Sequence, residues 1–536
     1  MARKAVYVAV AAVLLFAGLA QPARSQSPGG KSDVLGAINF PVSCTPEAQK
    51  HFNRAALLLY SYYWVPTEKA LSEVLEADPA CVMAYWAAAV AKMDNPYASP
   101  PTPKALEESW RMIQKAKTIG AKTQRERDYI EAIEVFYKDY DKLDHRTRGA
   151  AHEKALEQVY LRYPQDTEAA MYYARWLIAM ADPSDKSFTR QLKAAEILEK
   201  IFAAQPSHPG AAHFLIHAYD HPPIANRGLE PAKRYAAIAP AAPHALHMPS
   251  HIFTRVGYWQ ESIETNRRAA EVARGQRDEP HALDYMAYGY LQLAQDVEAK
   301  RVVDRIVEFA KQPVPLPAPA YAFAAIPARY ALERGKWSEA AQTPLPLAGT
   351  DQYERFPNAE AVNAFARALG AARSGNPAAA KQEIARLDRL RGKLVAMKQA
   401  YWAEQVEIQA KVASAWVARA EGRNDEALAL LRQAADQEDK TGKHPVTPGP
   451  LIPAREALGD LLVELGQPAA ALKEYEASQK VEPNRFRSIY GAARASELAG
   501  DIAKARTYYS QLVKLAEKAS GDREELRQAR SLLARH

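Results

Sequence analysis

The 536-residue chain has only two cysteines and no CxxC pair, which excludes thiolate zinc ribbons and thioredoxin-like redox chemistry. It has no glycine-rich phosphate cradle of the P-loop or dinucleotide type and no GxSxG nucleophile elbow. HExxH is missing too: HEKAL at His152 carries the first two letters and lacks the second histidine. No stretch of alternating β-branched residues marks a sheet. No long Lys/Arg run tracks a phosphate backbone, so the formal net charge of +7 argues for no nucleic-acid partner. Paired acids such as Glu438/Asp439 sit in polar turns and give a glycosidase no support.

What is present begins with MARKAVYVAVAAVLLFAGLAQPARS. Arg3 and Lys4 precede an apolar run from Ala5 to Ala20, and Ala23-Arg24-Ser25 place small residues before a cut at Gln26. This is the pattern of a secretory signal peptide, and the run is short for a membrane span. The expectation is a signal peptide at 1–25, a flexible segment at 26–43, and a periplasmic or secreted protein with no stable membrane span after cleavage. Removing those residues leaves 67 Lys+Arg against 63 Asp+Glu, a net of +4. In an oxidising compartment Cys44 and Cys81, each just ahead of a helical segment, are a disulfide candidate; two small buried residues are the alternative.

Beyond about residue 44 apolar residues recur at helical spacing almost without pause, which predicts an all-α chain. EGRNDEALALLRQAADQ, SGNPAAAKQEIARL, LGQPAAALKEYEASQKVEP and LAGDIAKARTYYSQL share a turn, then a helix with a small residue, a larger residue four on and another three further along. Ala427, Leu431 and Ala434 follow Gly422; Ala505, Tyr509 and Leu512 follow Gly500; Ala471 and Tyr475 precede Pro483. Small residues let two helices approach and the larger one fills the groove between them. The pattern resembles the tetratricopeptide repeat (TPR), which implies a right-handed superhelical solenoid of roughly nine or ten degenerate helical hairpins. Proline-rich KQPVPLPAPAY divides it into an N-terminal array at 44–311, a connection at 312–320 and a C-terminal array at 321–536. A second proline-rich stretch, HPVTPGPLIPARE from His444, has the density of a shaped loop that could cover a groove, a long inter-repeat turn being the plainer reading.

The stretches FPVSCTPEAQKHFNRA, HFLIHAYDHP, HALHMPSHIFTRVGYW, HPVTPGPLIPAREALGD and PNRFRSIYGAARASELAGD together resemble a group of exported bacterial TPR proteins. In TPRs the first helix of each hairpin lines the concave groove through positions 2, 5, 9, 12 and 13, which the resemblance carries over to this chain. Eight of the thirteen histidines lie between His208 and His281. Counting from Pro206 puts His213, His217, Asp220 and His221 on groove positions; counting back from Gly257 does the same for His244, His247, His251 and Arg255. With Ala299 as an anchor, His281, Asp284, Tyr288 and Gln292 follow suit. Pro249 threatens the second set, because a helix starting there would swing His244 and His247 onto a loop.

The metal-ligand candidates are therefore His213, His217, His221, His247 and His251, with His244, His281 and Asp284 behind them. Residues four apart on a helix are about 6 Å apart along its axis, so His213/His217 or His247/His251 can share one ion. A four-ligand site would take one such pair from each of two adjacent helices. Imidazole and carboxylate without thiolate point to copper, zinc or iron: iron if Asp220 or Asp284 joins two histidines, copper or zinc if three or four histidines bind. Asp220, Arg255 and Tyr288 are the catalytic candidates, as proton or charge partners beside the metal. The expected function is a metal-binding groove, catalytic (hydrolytic or oxidative) or not. A scaffold gripping a peptide or protein segment and a metal sequestration or delivery protein are the alternatives.

Overall fold

The computed structural model describes residues 33–97, 100–311, 320–349 and 351–535. The expected signal peptide, and residues 312–319 of the proline-rich connection, lie outside them. The described residues form helices joined by turns and a few longer irregular stretches, with no sheet among them and a single isolated bridge between Gln295 and Ser520. None of their helices is long and apolar enough to cross a membrane.

The helices pair as hairpins, and the residues that set the repeat pattern close them. Ala427, Leu431, Ala434, Ala471, Tyr475, Ala505, Tyr509 and Leu512 are all buried. Two kinds of helix result. Outer helices bury one stripe at three- and four-residue spacing, as Asp296, Ala299, Val302, Ile306 and Phe309 do on Asp296–Phe309. Inner helices are buried all round: every residue of Pro209–Tyr219 and of Pro249–Arg255 is out of solvent. Proline starts several of them, since its fixed φ suits the first turn, where its missing N–H has no partner to lose.

The inner helices are covered on their second face because the C-terminal hairpins fold back onto the middle of the chain. Trp259 donates its indole N–H to Asn484 O (2.8 Å), and Asp296 N–H donates to Ser520 O (2.9 Å). A Cβ on Gly257 would sit 2.6 Å from Pro483 O, so that turn, at φ +70°, needs glycine twice over. Cys44 and Cys81 are joined in a disulfide that ties the start of the first helix to the start of the third.

Candidate metal centre

Three inner helices in succession build the site: Pro209–Tyr219; the broken helix Pro243–His247 with Pro249–Arg255; and Glu279–Gln292. Pro249 does start a new helix, but His244 and His247 are not displaced onto a loop. Met248 keeps helical dihedrals (φ −52°, ψ −36°), its N–H donates to His244 O (2.9 Å), and the two pieces run on as one. His247 and His251 thus keep their shared face.

Six imidazoles meet in two triads. His213, His217 and His244 form one, and His247, His251 and His281 form the other; within each, ligand nitrogens lie within 4.8 Å of one another. His217 Nε2 is 3.1 Å from His213 Nε2, and His244 Nε2 is 3.2 Å from the same atom. His247 Nε2 and His251 Nε2 are 3.1 Å apart. Two nitrogens bonded to one ion at about 2.0–2.1 Å stand about 2.9–3.4 Å apart in square or tetrahedral arrangements, so these are ligand-edge distances. Each triad takes a four-apart pair from one helix and a single histidine from the next. The expected four-ligand site, pooling both pairs, is therefore divided into two trihistidine groups.

The far side of the rings fixes their tautomers. His213 Nδ1–H donates to the carbonyl of Tyr60 (2.6 Å), which can only accept. His251 Nδ1–H donates to Asp220 Oδ2 (2.9 Å). His247 Nδ1–H donates to Asn266 Oδ1 (2.6 Å), and the Asn266 amide is held that way round because its Nδ2 donates to Ser262 O (2.7 Å). With Nδ1 protonated, the neutral rings of His213, His247 and His251 present bare lone pairs at Nε2. His247 and His251 then aim two acceptors at each other across 3.1 Å, an arrangement that needs a positive charge between them. A proton serves poorly: burial pushes the pKa of His247 well below its usual value, with His281 and His251 adding to the fall, and burial and then Lys443 lower that of His251 against the pull of Asp220. Burial likewise drives His213 and His281 down to about 3. Neutral imidazoles with outer N–H groups anchored on oxygen are the usual state of metal-binding histidines.

Asp220 works behind the ligands. It ends the first site helix and accepts from His251 Nδ1, from Lys443 Nζ (2.9 Å) and from Arg255 Nε (2.9 Å). Burial alone would raise its pKa, but Lys443 and Arg255 outweigh it and hold the carboxylate well below the ordinary range. Arg255 also pairs with Glu482 (3.6 Å). Burial lowers the pKa of Lys443 to about 8, with Asp220 resisting the fall.

The other sequence candidates go elsewhere. The chain turns after Tyr219, and His221 leaves both triads to lie against Phe188, ring centroids 4.9 Å apart. Asp284 pairs with Arg329 (3.1 Å), and among the described residues neither it nor Asp220 belongs to either histidine group. Tyr288 accepts from Arg485 (2.7 Å) and donates to Glu482 (3.3 Å), away from the ligands. Tyr285 packs on the second triad instead, its ring 4.8 Å from His247, 5.1 Å from His251 and 5.3 Å from His281, while Tyr62 (4.5 Å from His213, 5.2 Å from His244) and Tyr97 (4.2 Å from His217) pack on the first.

A sequence signal for Tyr285 exists. Thirty-four residues, one TPR length, separate His213 from His247 and His247 from His281, and equally His217 from His251 and His251 from Tyr285. Anchoring on Ala299 loses that register in the third helix. Its positive-φ turn residue is Ala294, 37 residues beyond the equivalent Gly257, so the helix runs three residues further before turning. That shift of three exchanges Tyr285 for Tyr288.

Among the described residues the chain is an all-α stack of helical hairpins. No protein-family model matches its sequence, and no curated protein does. Among solved structures it is similar to the Cut9–Hcn1 hetero-tetramer of the APC/C (11% identity, 92% of this chain and 77% of that one, TM-score 0.37). It is also similar to a tetratricopeptide repeat protein from Parabacteroides merdae (12%, 55% and 98%, TM-score 0.30) and to human IFIT1, seen as a dimer with m7Gppp-AAAA (12%, 81% and 90%, TM-score 0.38).

The proline-rich stretch after Thr441 closes the site. Lys443 reaches Asp220 from it, and Tyr285 OH lies 3.3 Å from Pro445 O and 3.2 Å from Thr447 O. Arg329 donates to Thr447 Oγ1 (2.8 Å), Gly449 O (2.7 Å) and Pro450 O (3.0 Å). A Cβ on Gly449 would stand 3.0 Å from a Glu482 carboxylate oxygen and 3.1 Å from Tyr288 OH. Beside this stretch lies a cavity of about 900 Å³ walled by Phe188, Tyr401 and Trp402, with His221, Arg255 and Lys443 also on its lining.

Proposed function

We propose that this protein is an exported metalloprotein whose two trihistidine groups each bind a copper or zinc ion, and that it performs metal-dependent chemistry, hydrolytic or oxidative, on a substrate held in the adjoining cavity. The observation that carries the reading is the pair of lone pairs of His247 and His251, 3.1 Å apart in a buried place hostile to protons. Three neutral nitrogen ligands leave coordination positions open, as catalytic trihistidine zinc sites do. A bound ion would supply Lewis acidity or, if copper, redox chemistry. The chain's own part is to anchor the rings through Tyr60, Asn266 and Asp220 and to exclude water with the Thr441–Pro453 stretch. Lys443 Nζ lies 3.3 Å from Tyr285 OH, where a proton can be held between them.

Arg255 and Lys443, which line the cavity and hold Asp220 behind the ligands, are the link between that space and the triads. A peptide-gripping groove is less supported, because the chain's own proline-rich stretch already lies on the inner face beside the triads. The test is elemental analysis of protein made without an affinity tag under metal-replete conditions. Two ions per chain are expected, and His217→Ala/His251→Ala, which takes one ligand from each triad, should lose both. Wild-type protein free of copper and zinc overturns the proposal.

A further inference from the structure

The two triads are not independent pockets. The broken helix Pro243–Arg255 serves both, giving His244 to one and His247 and His251 to the other. His244 and His247 are three residues apart on one helical face, and their ring centroids are 6.0 Å apart; those of His217 and His251 are 5.9 Å apart. Ligands of different triads are thus as close as neighbours on one helix, where side chains three and four apart meet.

Charge makes the arrangement incomplete. Six neutral imidazoles bring no negative charge to two divalent ions. The buried carboxylates behind the ligands, Asp220 and Glu482, are already matched by Arg255 and Lys443. Buried charge without a counter-charge is expensive, and among the described residues no carboxylate joins either triad. Something from outside must provide it at the open coordination positions, and one ligand lying between both triads would serve two ions at once.

We propose that the triads hold their ions as a coupled pair spanned by a single small anion, of the azide, halide or oxygen-anion class, which supplies the negative charge that six neutral imidazoles lack. This rests on the reading that the triads bind metal. It adds that the two ions lie within the roughly 3.5–4 Å typical of two-metal sites.

Copper(II) with azide is the probe. Metal-free full-length protein is given one and then two equivalents of copper(II), and integrated electron-spin resonance intensity is followed before and after sodium azide. A coupled pair loses most of its spin at two equivalents with azide, through magnetic coupling across the bridge, and His281→Ala, left with one intact triad, keeps the full signal of the single ion it binds. X-ray absorption on the two-copper wild type gives a second reading that needs no variant, and a copper–copper scattering shell is expected. Two full spins per chain, with and without azide, and no copper–copper shell overturn the coupled pair while leaving metal binding intact. Failure to retain copper or zinc at all overturns the underlying reading instead.

Discussion

At the scale of single residues, the site depends as much on what holds the imidazoles as on the imidazoles. Asn266 can donate and accept, so only its bond to Ser262 O makes its Oδ1 face His247. Replacing Asn266 with Leu leaves His247 Nδ1–H buried without an acceptor and frees the ring to turn. Loss of such a supporting contact costs about 10–100-fold in metal affinity. The loss should fall on the triad containing His247, while His213, His217 and His244 bind as before; competition with a chromophoric chelator would resolve one weakened and one unchanged site. An equal loss at both would mean that Asn266 acts on the fold. The ligand types were readable in the sequence because eight histidines crowd one short region. Their grouping was not, because it depends on where each helix ends. His221 had the right spacing and lies one turn too late, past the end of its helix. His244 and His281 looked secondary, and they complete the triads. Asn266 carried no signal, since a lone asparagine on an outer helix looks like any solvated residue.

At the scale of elements, buried histidine also serves structure. His152, on the helix His145–Arg162, donates its Nδ1–H to Ala132 O (2.6 Å) and sits edge-on to Trp176, with 4.8 Å between ring centroids. Burial lowers its pKa to about 4, against about 6.5 in an unfolded chain. Between those values the unfolded state binds a proton that the folded state refuses. Stability is therefore full above about pH 6.5 and falls as the pH drops toward 4, by up to about 3 kcal/mol at roughly 1.4 kcal/mol per unit. Chemical denaturation of metal-free protein from pH 7 to 4 should show this fall, and His152→Leu should lower its slope by about one proton. An unchanged slope would mean that other groups carry the acid sensitivity. The hairpins themselves were legible, since the alanine and leucine positions read from the repeat are those buried between helices. Pro249 was read as a threat to the second helix, and helical dihedrals at Met248 carry the chain through.

At the scale of the whole molecule, the sequence did not show that the C-terminal hairpins return to cover the inner helices, because periodicity reports which face of a helix is apolar and not which distant helix will meet it. The return is held by buried charge. Arg485 is fully buried and pairs with Glu333 (3.0 Å) and Glu456 (3.1 Å), and it donates to Tyr288 OH (2.7 Å). One guanidinium thus joins the third site helix, the end of Ala320–Leu332 and the start of Ala454–Glu464. Removing one partner of such a group leaves carboxylates buried without their cation, at a cost of about 3–5 kcal/mol. Arg485→Met should lower unfolding free energy by that amount in guanidinium melts. Combining it with Glu333→Gln should restore part of the loss, since one stranded carboxylate becomes neutral. Because Tyr288 is three residues from Tyr285, which packs on His247 and His251, loosening this joint should also speed the transfer of metal to an external chelator. A variant that is destabilised yet releases metal at the wild-type rate would show that the triads are held by their own helices alone, and that closure serves the cavity instead.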